Sequence, residues 1–284
     1  MSNGGKLIYD IGANDGVDTA YYLALGCSVV AIEADPVLAG GLRDRFAGEI
    51  AGGRVTVVNA AVMAEDRDEV GFYISKDNTE SSLIQSMAER AGPVTGQIAV
   101  KGRSLCSLFS EYGLPWYCKI DIEGCDAAAV SGMSGCDRRP AYISCESTGQ
   151  PIGQISQDEG LLCEVLDALA AQGYRQFKLV DQESLQVLTD SGHYNRLQRW
   201  PVRARTKLER WVGRPTPRYN NRLWLSRRGL PGAGTVSGPF GTQLAGEWAD
   251  YKAIRRRMLR HFSHYYRYTK NKQFIFWVDI HGKF

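Results

Sequence analysis

Five carboxylates stand directly behind or within short apolar runs of this sequence, where a charged side chain is costly unless it pairs with another group or faces a site. Carboxylates can accept hydrogen bonds from ribose hydroxyls, hold a cation, or take the proton of a reacting hydroxyl. A series of this length argues for a site assembled where several strands end. The five are Asp10, Glu33, Asp121, Glu123 and Glu146.

Residues 7–25 predict a strand, a glycine turn and a helix, which is the unit that holds a nucleotide above a parallel sheet. Glycine in such a loop lets the backbone approach a ligand that a Cβ would hit. The spacing D-x-G-x-x-x-G differs from the G-x-G-x-x-G of a dinucleotide site, and an acidic lip repels phosphate. S-adenosylmethionine, which carries an ammonium, a sulfonium and no phosphate, suits this loop. Its expected binding residues here are Asp10, Gly12, Ala13, Asn14 and Gly16.

The next two predicted strands end in residues that suit an adenosine. Residues 28–33 form an apolar run that ends in Glu33, 17 residues after Gly16. An acid at this position suits the two ribose hydroxyls. The third predicted strand, 54–58, ends at Asn59 and Ala60, which we expect near the adenine. Asn59 either bonds the base edge or is an ordinary turn residue.

The fourth predicted strand, 116–122, carries the candidate catalytic residues. Lys119, Asp121 and Glu123 alternate, so they project from one side of the strand. Asp121 is the first candidate for the base that takes a proton from the acceptor, and Glu146 is the second. Pairing with Lys119 would lower the basicity of Asp121. Asp121 and Glu146 together are a weak metal signal, so no metal site is assigned.

Composition and cysteine content indicate a protein of the cytoplasm. The 284 residues have the apolar and charged fractions of a globular chain. No run of 18 apolar residues occurs, and the first predicted strand begins by Leu7, which leaves no room for a signal peptide. Seven cysteines predict free thiols in a reducing compartment. The four histidines are the remaining candidates for a catalytic base, and the interpretation as ordinary surface or packed residues is favoured for each: His193, His261, His264 and His281.

Charge divides the chain into an acidic core and a basic segment. Residues 182–275 hold 19 basic and 5 acidic residues, a net charge of +14, against 15 and 26, a net of −11, in the rest. We expect residues 1–181 to form the cofactor-binding core and 276–284 to add a last strand to it. The basic segment is expected to form an acceptor-binding lid that draws in an anionic acceptor, or to pack on the acidic core. An anionic membrane surface also fits the charge.

The order of predicted elements indicates an α/β fold. Strands and helices alternate up to about residue 180, which predicts a Rossmann-like, mostly parallel sheet with helices on both faces. A final antiparallel strand at 274–280 would complete seven strands. Residues 248–265 predict a basic amphipathic helix.

With these motifs in hand, the chain resembles the FkbM family of S-adenosylmethionine-dependent methyltransferases. The resemblance rests on DIGANDG at 10–16, Glu33, and KIDIEG at 119–124. AAV at 60–62, SLCSLF at 104–109 and Glu146 also fit. It covers residues 7–147 and extends weakly to 180. It implies a seven-stranded Rossmann-like sheet and methylation of a hydroxyl oxygen on sugars or natural products.

Three hypotheses about function remain open at this point. The first is an O-methyltransferase acting on a hydroxyl of a sugar, glycan or glycosylated small molecule. The second is O-methylation of a polyketide or peptide. The third, from another class, is a nucleic-acid-binding protein on a methyltransferase-like platform, supported by the basic segment and its aromatic residues. Against the third, no RNA-binding module motif is present. The sequence does not indicate an oligomeric state.

Overall fold

The structure, a computed structural model, describes residues 5–77, 80–90, 92–147, 159–182, 185–190, 237–268 and 277–284. The strands are β1 (Leu7–Ile11), β2 (Ser28–Glu33), β3 (Val55–Asn59), β4 (Ala61–Met63), β5 (Arg67–Ser75), β6 (Val94–Ser104), β7 (Tyr117–Ile120), β8 (Tyr142–Ser147), β9 (Gln176–Asp181), β10 (Gln186–Val187) and β11 (Val278–Lys283). The helices are α1 (Val17–Ala24), α2 (Pro36–Arg45), α3 (Ala47–Ala51), α4 (Gln85–Ala88), α5 (Leu105–Tyr112), α6 (Asp126–Ser131), α7 (Glu159–Ala171) and α8 (Tyr251–Tyr268). None of these described helices is long and apolar enough to cross a membrane.

The main sheet has the strand order β10-β9-β11-β8-β7-β1-β2-β3. Strands β3, β2, β1, β7 and β8 are parallel, and β11 inserts antiparallel between β8 and β9. The predicted seven-stranded, mostly parallel sheet with a final antiparallel strand is therefore confirmed, and the two-residue β10 extends it by one strand. The last strand begins at Val278 rather than at the predicted 274, and residues 271–276 lie outside the described part.

Helices cover both faces of the main sheet because its central strands are apolar on both sides, as parallel strands usually are. On one face, Tyr9 and Ile11 pack with residues of α5, α6, α7 and α8. On the other face, Ile8 and Tyr117 pack with Tyr22 of α1. The predicted arrangement of helices on both faces is thus confirmed.

The part of the chain between β3 and α5 forms a second, three-stranded sheet with the order β4-β6-β5. The sequence predicts β5 at 69–74, slightly shorter than Arg67–Ser75, but does not predict β4 or β6. Strand β6 reads VTGQIAVKGRS, and most of its side chains are exposed or partly exposed. A half-exposed strand with two glycines lacks the alternation that identifies a strand in sequence. The hairpin of β5 and β6 brings residues 80–90 beside the end of β7.

Residues 237–249 cover the same face of the main sheet as α1. The ring of Phe240 stacks on Tyr117 with centroids 4.4 Å apart and meets Tyr22 edge-on. Ala249 exchanges backbone hydrogen bonds with Phe177 of β9. This part of the basic segment therefore belongs to the hydrophobic core.

The predicted amphipathic helix of the basic segment is present as α8. It begins at Tyr251, three residues after the predicted start, and buries Ile254 and Met258 against the sheet. Arg257 of this helix pairs with Asp190 at 3.0 Å. All seven cysteines lie in the described part, and none of them forms a disulfide.

Candidate functional site

The loop between β1 and α1 turns three times through left-handed backbone. Gly12, Asn14 and Gly16 have φ values of 76°, 47° and 81°. The amides of Gly12 and Ala13 both donate to the carbonyl oxygen of Ile32, at 3.0 and 3.1 Å. The loop therefore rests against the end of β2, beside Glu33.

Contacts within the protein explain why two of the loop residues are glycines. A Cβ on Gly12 would lie 1.9 Å from the backbone carbonyl oxygen of Asp121, and one on Gly16 would lie 2.6 Å from the ring of Phe46. Packing within the protein is therefore sufficient to require these glycines, and the predicted approach to a ligand stays a prediction. Gly12 lets the loop pack on the end of β7, and Gly16 lets it pack on α2.

Glu33 stands at the end of β2 with both carboxylate oxygens turned to the loops. One oxygen accepts from the amide of Asn14 at 2.8 Å, and the other accepts from the amide of Asp35 at 2.9 Å. The side chain is 7% exposed. Burial raises the pKa of Glu33 above its ordinary value, and the two amide hydrogen bonds oppose this rise. Each carboxylate oxygen can accept a further hydrogen bond, such as one from a ribose hydroxyl.

Asn59 and Ala60 lie at the end of β3, next to the end of β2. The side-chain amide of Asn59 donates to the carbonyl oxygens of Glu33 and Ala34, at 2.9 and 2.8 Å. The amide of Ala60 also donates to the carbonyl oxygen of Glu33, at 3.1 Å. Both residues therefore brace the turn that carries Glu33.

Asp10 is buried beneath the loop rather than exposed at its edge. It is 0% exposed, and it accepts a hydrogen bond from Thr19 at 2.6 Å. Burial raises its pKa to about 6, although Lys119 opposes the rise. The interpretation of Asp10 as an acidic lip is wrong, because the strand end is covered by α1.

Lys119 of β7 is the centre of a buried ion network. Its Nζ lies 3.0 Å from Asp18, 3.3 Å from Asp121 and 3.6 Å from Asp10. Burial favours the neutral amine, but the three carboxylates raise the pKa of Lys119 well above its ordinary value. The predicted pairing of Lys119 with Asp121 is therefore present. Asp18 is also fixed by Ser237, whose amide and hydroxyl donate to it at 2.8 and 2.7 Å.

Three partly exposed carboxylates meet at the ends of β7 and β8, and we call them the rim cluster: Asp121, Glu123 and Glu146. One oxygen from each lies within 4.8 Å of the others. Burial, followed by Asp121 and Glu123, raises the pKa of Glu146 well above its ordinary value. The structure thus brings together three carboxylates that the sequence predicts at neighbouring strand ends.

The β5–β6 hairpin holds Glu123 in place. Arg90 pairs with Glu123 and also with Glu80, the latter at 2.8 Å. The hydroxyl of Ser82 donates to the carbonyl oxygen of Glu123 at 2.9 Å. Burial and then Asp121 raise the pKa of Glu123 to about 8, against the effect of Arg90. Glu123 has a φ of 49°, a left-handed backbone that is strained for a residue other than glycine.

Asp279 of β11 is a further carboxylate beside the rim cluster. It pairs in register with Glu146 of β8, so the two side chains project from the same face of the sheet. Asp279 is 7% exposed and makes no hydrogen bond or ion pair in the part of the chain that the structure describes. Burial, followed by Asp121, raises its pKa well above the ordinary value.

The sequence did not single out Asp18, Arg90 or Asp279. Asp18 had the one usable signal, an acid in the first turn of the helix that follows the glycine loop. Two histidines lie away from the rim cluster in the described part. His261 of α8 bonds to the carbonyl oxygen of Thr189 at 3.0 Å, and His281 is buried in β11. His193 and the side chain of His264 lie outside the described residues.

Comparison with known proteins adds a family to this geometry. A family model described as the Methyltransferase FkbM domain matches residues 10–176, more than half of the chain. Among proteins of curated function, none matches this chain in sequence.

Solved structures of methyltransferases match this chain at low identity. The methyltransferase FkbM from Methylobacillus flagellatus KT is 17% identical with a TM-score of 0.41, over 62% of this chain and 40% of that chain. An O-methyltransferase from Bacillus cereus in complex with SAH is 16% identical with a TM-score of 0.38, over 66% and 70%. An S-adenosylmethionine-dependent methyltransferase from Geobacter sulfurreducens, with S-adenosyl-L-homocysteine, is 12% identical with a TM-score of 0.36, over 98% and 84%.

The family match therefore decides the assignment. Residues 10–176 include the glycine loop, Glu33, Lys119 and the whole rim cluster. The methyl donor of the family is S-adenosylmethionine. The chain belongs to the FkbM family of S-adenosylmethionine-dependent methyltransferases.

Proposed function

We propose that this chain transfers the methyl group of S-adenosylmethionine to a hydroxyl of a sugar, glycan or glycosylated small molecule. The observation that carries the proposal is the position of Asp121. Its backbone contacts the glycine loop at Gly12, and its side chain is partly exposed beside Glu146. A carboxylate between the cofactor loop and an open acidic rim can meet both the methyl group and the acceptor.

The ends of β1, β2 and β3, on the side of Asp121 away from Glu146, would hold the cofactor. Glu33 has remaining acceptor capacity for the ribose hydroxyls, and Asn59 and Ala60 lie where the adenine is expected. The loop at 12–16 would line the amino acid portion through groups other than the amides of Gly12, Ala13 and Asn14, which already donate to Ile32 and Glu33. Asp10 and Lys119 would act from beneath, by fixing the charge and position of Asp121.

The proposed step is an in-line displacement at the methyl carbon. The acceptor oxygen forms a bond to that carbon while the carbon–sulfur bond breaks, and its electron pair returns to sulfur as the thioether. The hydroxyl proton passes to the Asp121 carboxylate and from there to solvent. Glu146 accepts a hydrogen bond from the same hydroxyl region and orients it.

Cofactor binding and methyl transfer test the proposal separately. Calorimetry should show binding of S-adenosylmethionine, weakened about tenfold or more by Glu33→Gln, because a ribose hydrogen bond to a carboxylate is worth about 1.5–3 kcal/mol. Asp121→Asn should reduce turnover by about 10² to 10⁴ with much less effect on cofactor binding. Near wild-type turnover in Asp121→Asn with an inactive Glu146→Gln would exchange the two roles.

A panel of acceptors with a labelled methyl donor tests the class of hydroxyl. Sugars, glycosides and glycosylated small molecules form one arm, and polyketide and peptide hydroxyls form the other. We also propose that the basic segment 182–275, outside the side chains that it packs into the core, supplies the acceptor wall and favours an anionic acceptor, because the segment has a net charge of +14. A kcat/KM that falls with salt for an anionic acceptor would support this, and salt-independent values would contradict it. No incorporation into any hydroxyl would contradict the proposed function.

A further inference from the structure

We infer that the rim cluster is a binding site for one hard divalent cation, held by Asp121, Glu123 and Glu146. The inference deepens the proposed function, and it rests on that function only for the role of the cation, not for its binding. Carboxylate oxygens are the ligands that Ca²⁺, Mn²⁺ and Mg²⁺ prefer.

The spacing of the three carboxylates suits a common ion. One oxygen from each residue lies within 4.8 Å of the others. Two oxygens bound to one Ca²⁺ at about 2.3–2.6 Å can be as much as about 5 Å apart. Three oxygens at this separation lie at most about 2.8 Å from a common centre. An ion of this size therefore needs only a small inward movement of the carboxylates, whereas Mg²⁺, with bonds of about 2.0–2.1 Å, needs a larger one.

Asp279 supplies an independent observation that points to a cation. This carboxylate is more than nine-tenths buried, has no partner in the described residues, and lies in register with Glu146. Among its charged neighbours Asp121 acts most strongly, and Lys119 opposes it from beyond ion-pair distance. A buried carboxylate on the cluster side of the sheet that has no hydrogen bond or ion pair in the described residues is costly unless a positive charge occupies the space between them.

The charges around the rim are far from balanced within the described residues. Lys119 is shared by three carboxylates, and Arg90 is shared by two. Glu146 and Asp279 have no cationic side chain at ion-pair distance in this part of the chain. Two cations thus serve seven carboxylates, which are Asp10, Asp18, Glu80, Asp121, Glu123, Glu146 and Asp279.

A cation in this position would lie next to the acceptor oxygen of the proposed reaction. It would stabilise the negative charge that develops on that oxygen as the proton leaves. A carboxylate can bind the ion through one oxygen and keep the second for the proton, so the balance of the methyl-transfer step is unchanged. The remaining positions of the ion would be filled by water or by the acceptor.

The test is a titration of the full chain with CaCl₂ and with MnCl₂, after treatment with EDTA and desalting. Calorimetry for both ions and electron paramagnetic resonance for Mn²⁺ should show one site per chain with a Kd below about 1 mM. Glu146→Gln and Asp121→Asn should each weaken binding at least tenfold, and Asp279→Asn by up to about tenfold. The matched control is Glu69→Gln, which removes an exposed carboxylate of β5 and should leave binding unchanged.

Three results would overturn the inference. These are no binding of either ion at millimolar concentration, binding that survives both Glu146→Gln and Asp121→Asn in folded protein, and competition between the ion and saturating S-adenosylmethionine. The last result would mean that the cluster receives the positive charge of the cofactor itself. Near-ultraviolet circular dichroism establishes that each variant is folded.

Failure of this inference is distinguishable from failure of the proposed function, because the titration contains neither methyl donor nor acceptor. Methyl transfer to a hydroxyl without cation binding would remove only the cation site. Cation binding without methylation of any hydroxyl would remove only the proposed function.

Discussion

Two neighbouring rows of side chains on one face of the sheet differ in how their charges are matched. The inner row runs in register across five strands and consists of Lys178, His281, Ser144, Lys119 and Asp10. The outer row lies two residues nearer the rim and consists of Asp279, Glu146 and Asp121. Both rows are polar in a sheet whose other positions are mostly apolar. The charges of the inner row are neutralised by other side chains of the protein, whereas most of those in the outer row are not.

The charged groups of the inner row have partners of opposite charge or hydrogen-bond acceptors, although Asp10 Oδ1 and His281 Nε2 are buried without a hydrogen bond among the described residues. Lys178 donates to the carbonyl oxygens of residues 244, 245 and 246 at 2.9, 3.0 and 2.6 Å. The hydroxyls of Ser144 and Tyr117 lie 2.6 Å apart, and Lys119 neutralises its neighbours. In the outer row, only Asp121 meets a cationic side chain among the described residues. A buried charge that is paired within the chain indicates a structural role, and a buried charge without such a pair indicates a site that awaits a ligand.

The largest effect on stability should come from removing the cation of the inner row. Lys119→Met leaves Asp10, Asp18 and Asp121 close together without a positive charge. We expect a loss of about 3–5 kcal/mol in the free energy of unfolding, the usual cost of breaking a buried pair by removing one partner. Urea denaturation measures it. Lys101→Met, at an exposed position of β6, is the matched control. A loss below about 1 kcal/mol would mean that the network is not structural.

Residues 237–249, which cover the face of the sheet that carries the inner row, should contribute nearly as much to the stability. Phe240→Ala removes a fully buried ring that stacks on Tyr117, and we expect a loss of about 3 kcal/mol. Phe284→Ala, at a residue that is 62% exposed, is the matched control and should cost much less. Equal effects of the two substitutions in urea denaturation would show that residues 237–249 do not belong to the core.

His281 should make the inner row sensitive to acid. Burial, followed by Lys178, lowers its pKa to about 3 from 6.5. Because the folded pKa is depressed, protons bind the unfolded chain more tightly, so the stability is present above pH 6.5 and is lost as the pH falls. The loss is about 1.4 kcal/mol per pH unit, or roughly 2 kcal/mol between pH 6.5 and pH 5.

The matched measurement is urea denaturation of wild type and His281→Gln at pH 7 and pH 5. Carboxylates with raised pKa values act in the opposite direction, but they are common to both proteins and cancel in the difference. The drop in stability should be about 2 kcal/mol larger for wild type. Equal drops would show that His281 is not held neutral by its surroundings.

Some features of the two rows could be predicted from the sequence and others could not, because some depend on local patterns and others on contacts between residues far apart in the chain. The loop at 10–16, Glu33 and the strand that carries Lys119 and Asp121 are local patterns, and they were placed correctly. The ion-pair partner of Asp10, which is Lys119, and the contact that requires Gly12 both come from the region of β7, more than 100 residues away. The local pattern therefore suggests a ligand where the structure has protein.

Asp279 illustrates the limit of such prediction more strongly. It is a single acid in the apolar run FIFWVDI, and its position in the site follows from β11 inserting between β8 and β9. Nothing local specifies the register that pairs it with Glu146. Strand β6, which positions Arg90 through its hairpin, was missed because its exposed, glycine-containing sequence lacks a periodic pattern.

The smallest expected effect has the opposite sign, and it tests the comparison most directly. In the inner row, removing a charge should destabilise the protein, whereas in the outer row it should stabilise it. Glu146→Gln removes one of four crowded carboxylates and keeps its shape, so we expect a gain of about 1 kcal/mol in buffer with EDTA. Thermal and urea denaturation measure this gain, with Glu69→Gln as the exposed Glu→Gln control.

Millimolar Mn²⁺ should then stabilise wild type more than Glu146→Gln, because only an ion that binds the folded protein shifts its unfolding. If Glu146→Gln instead destabilises the metal-free protein by 1 kcal/mol or more, Glu146 is matched in the folded chain. The distinction between the two rows would then be lost.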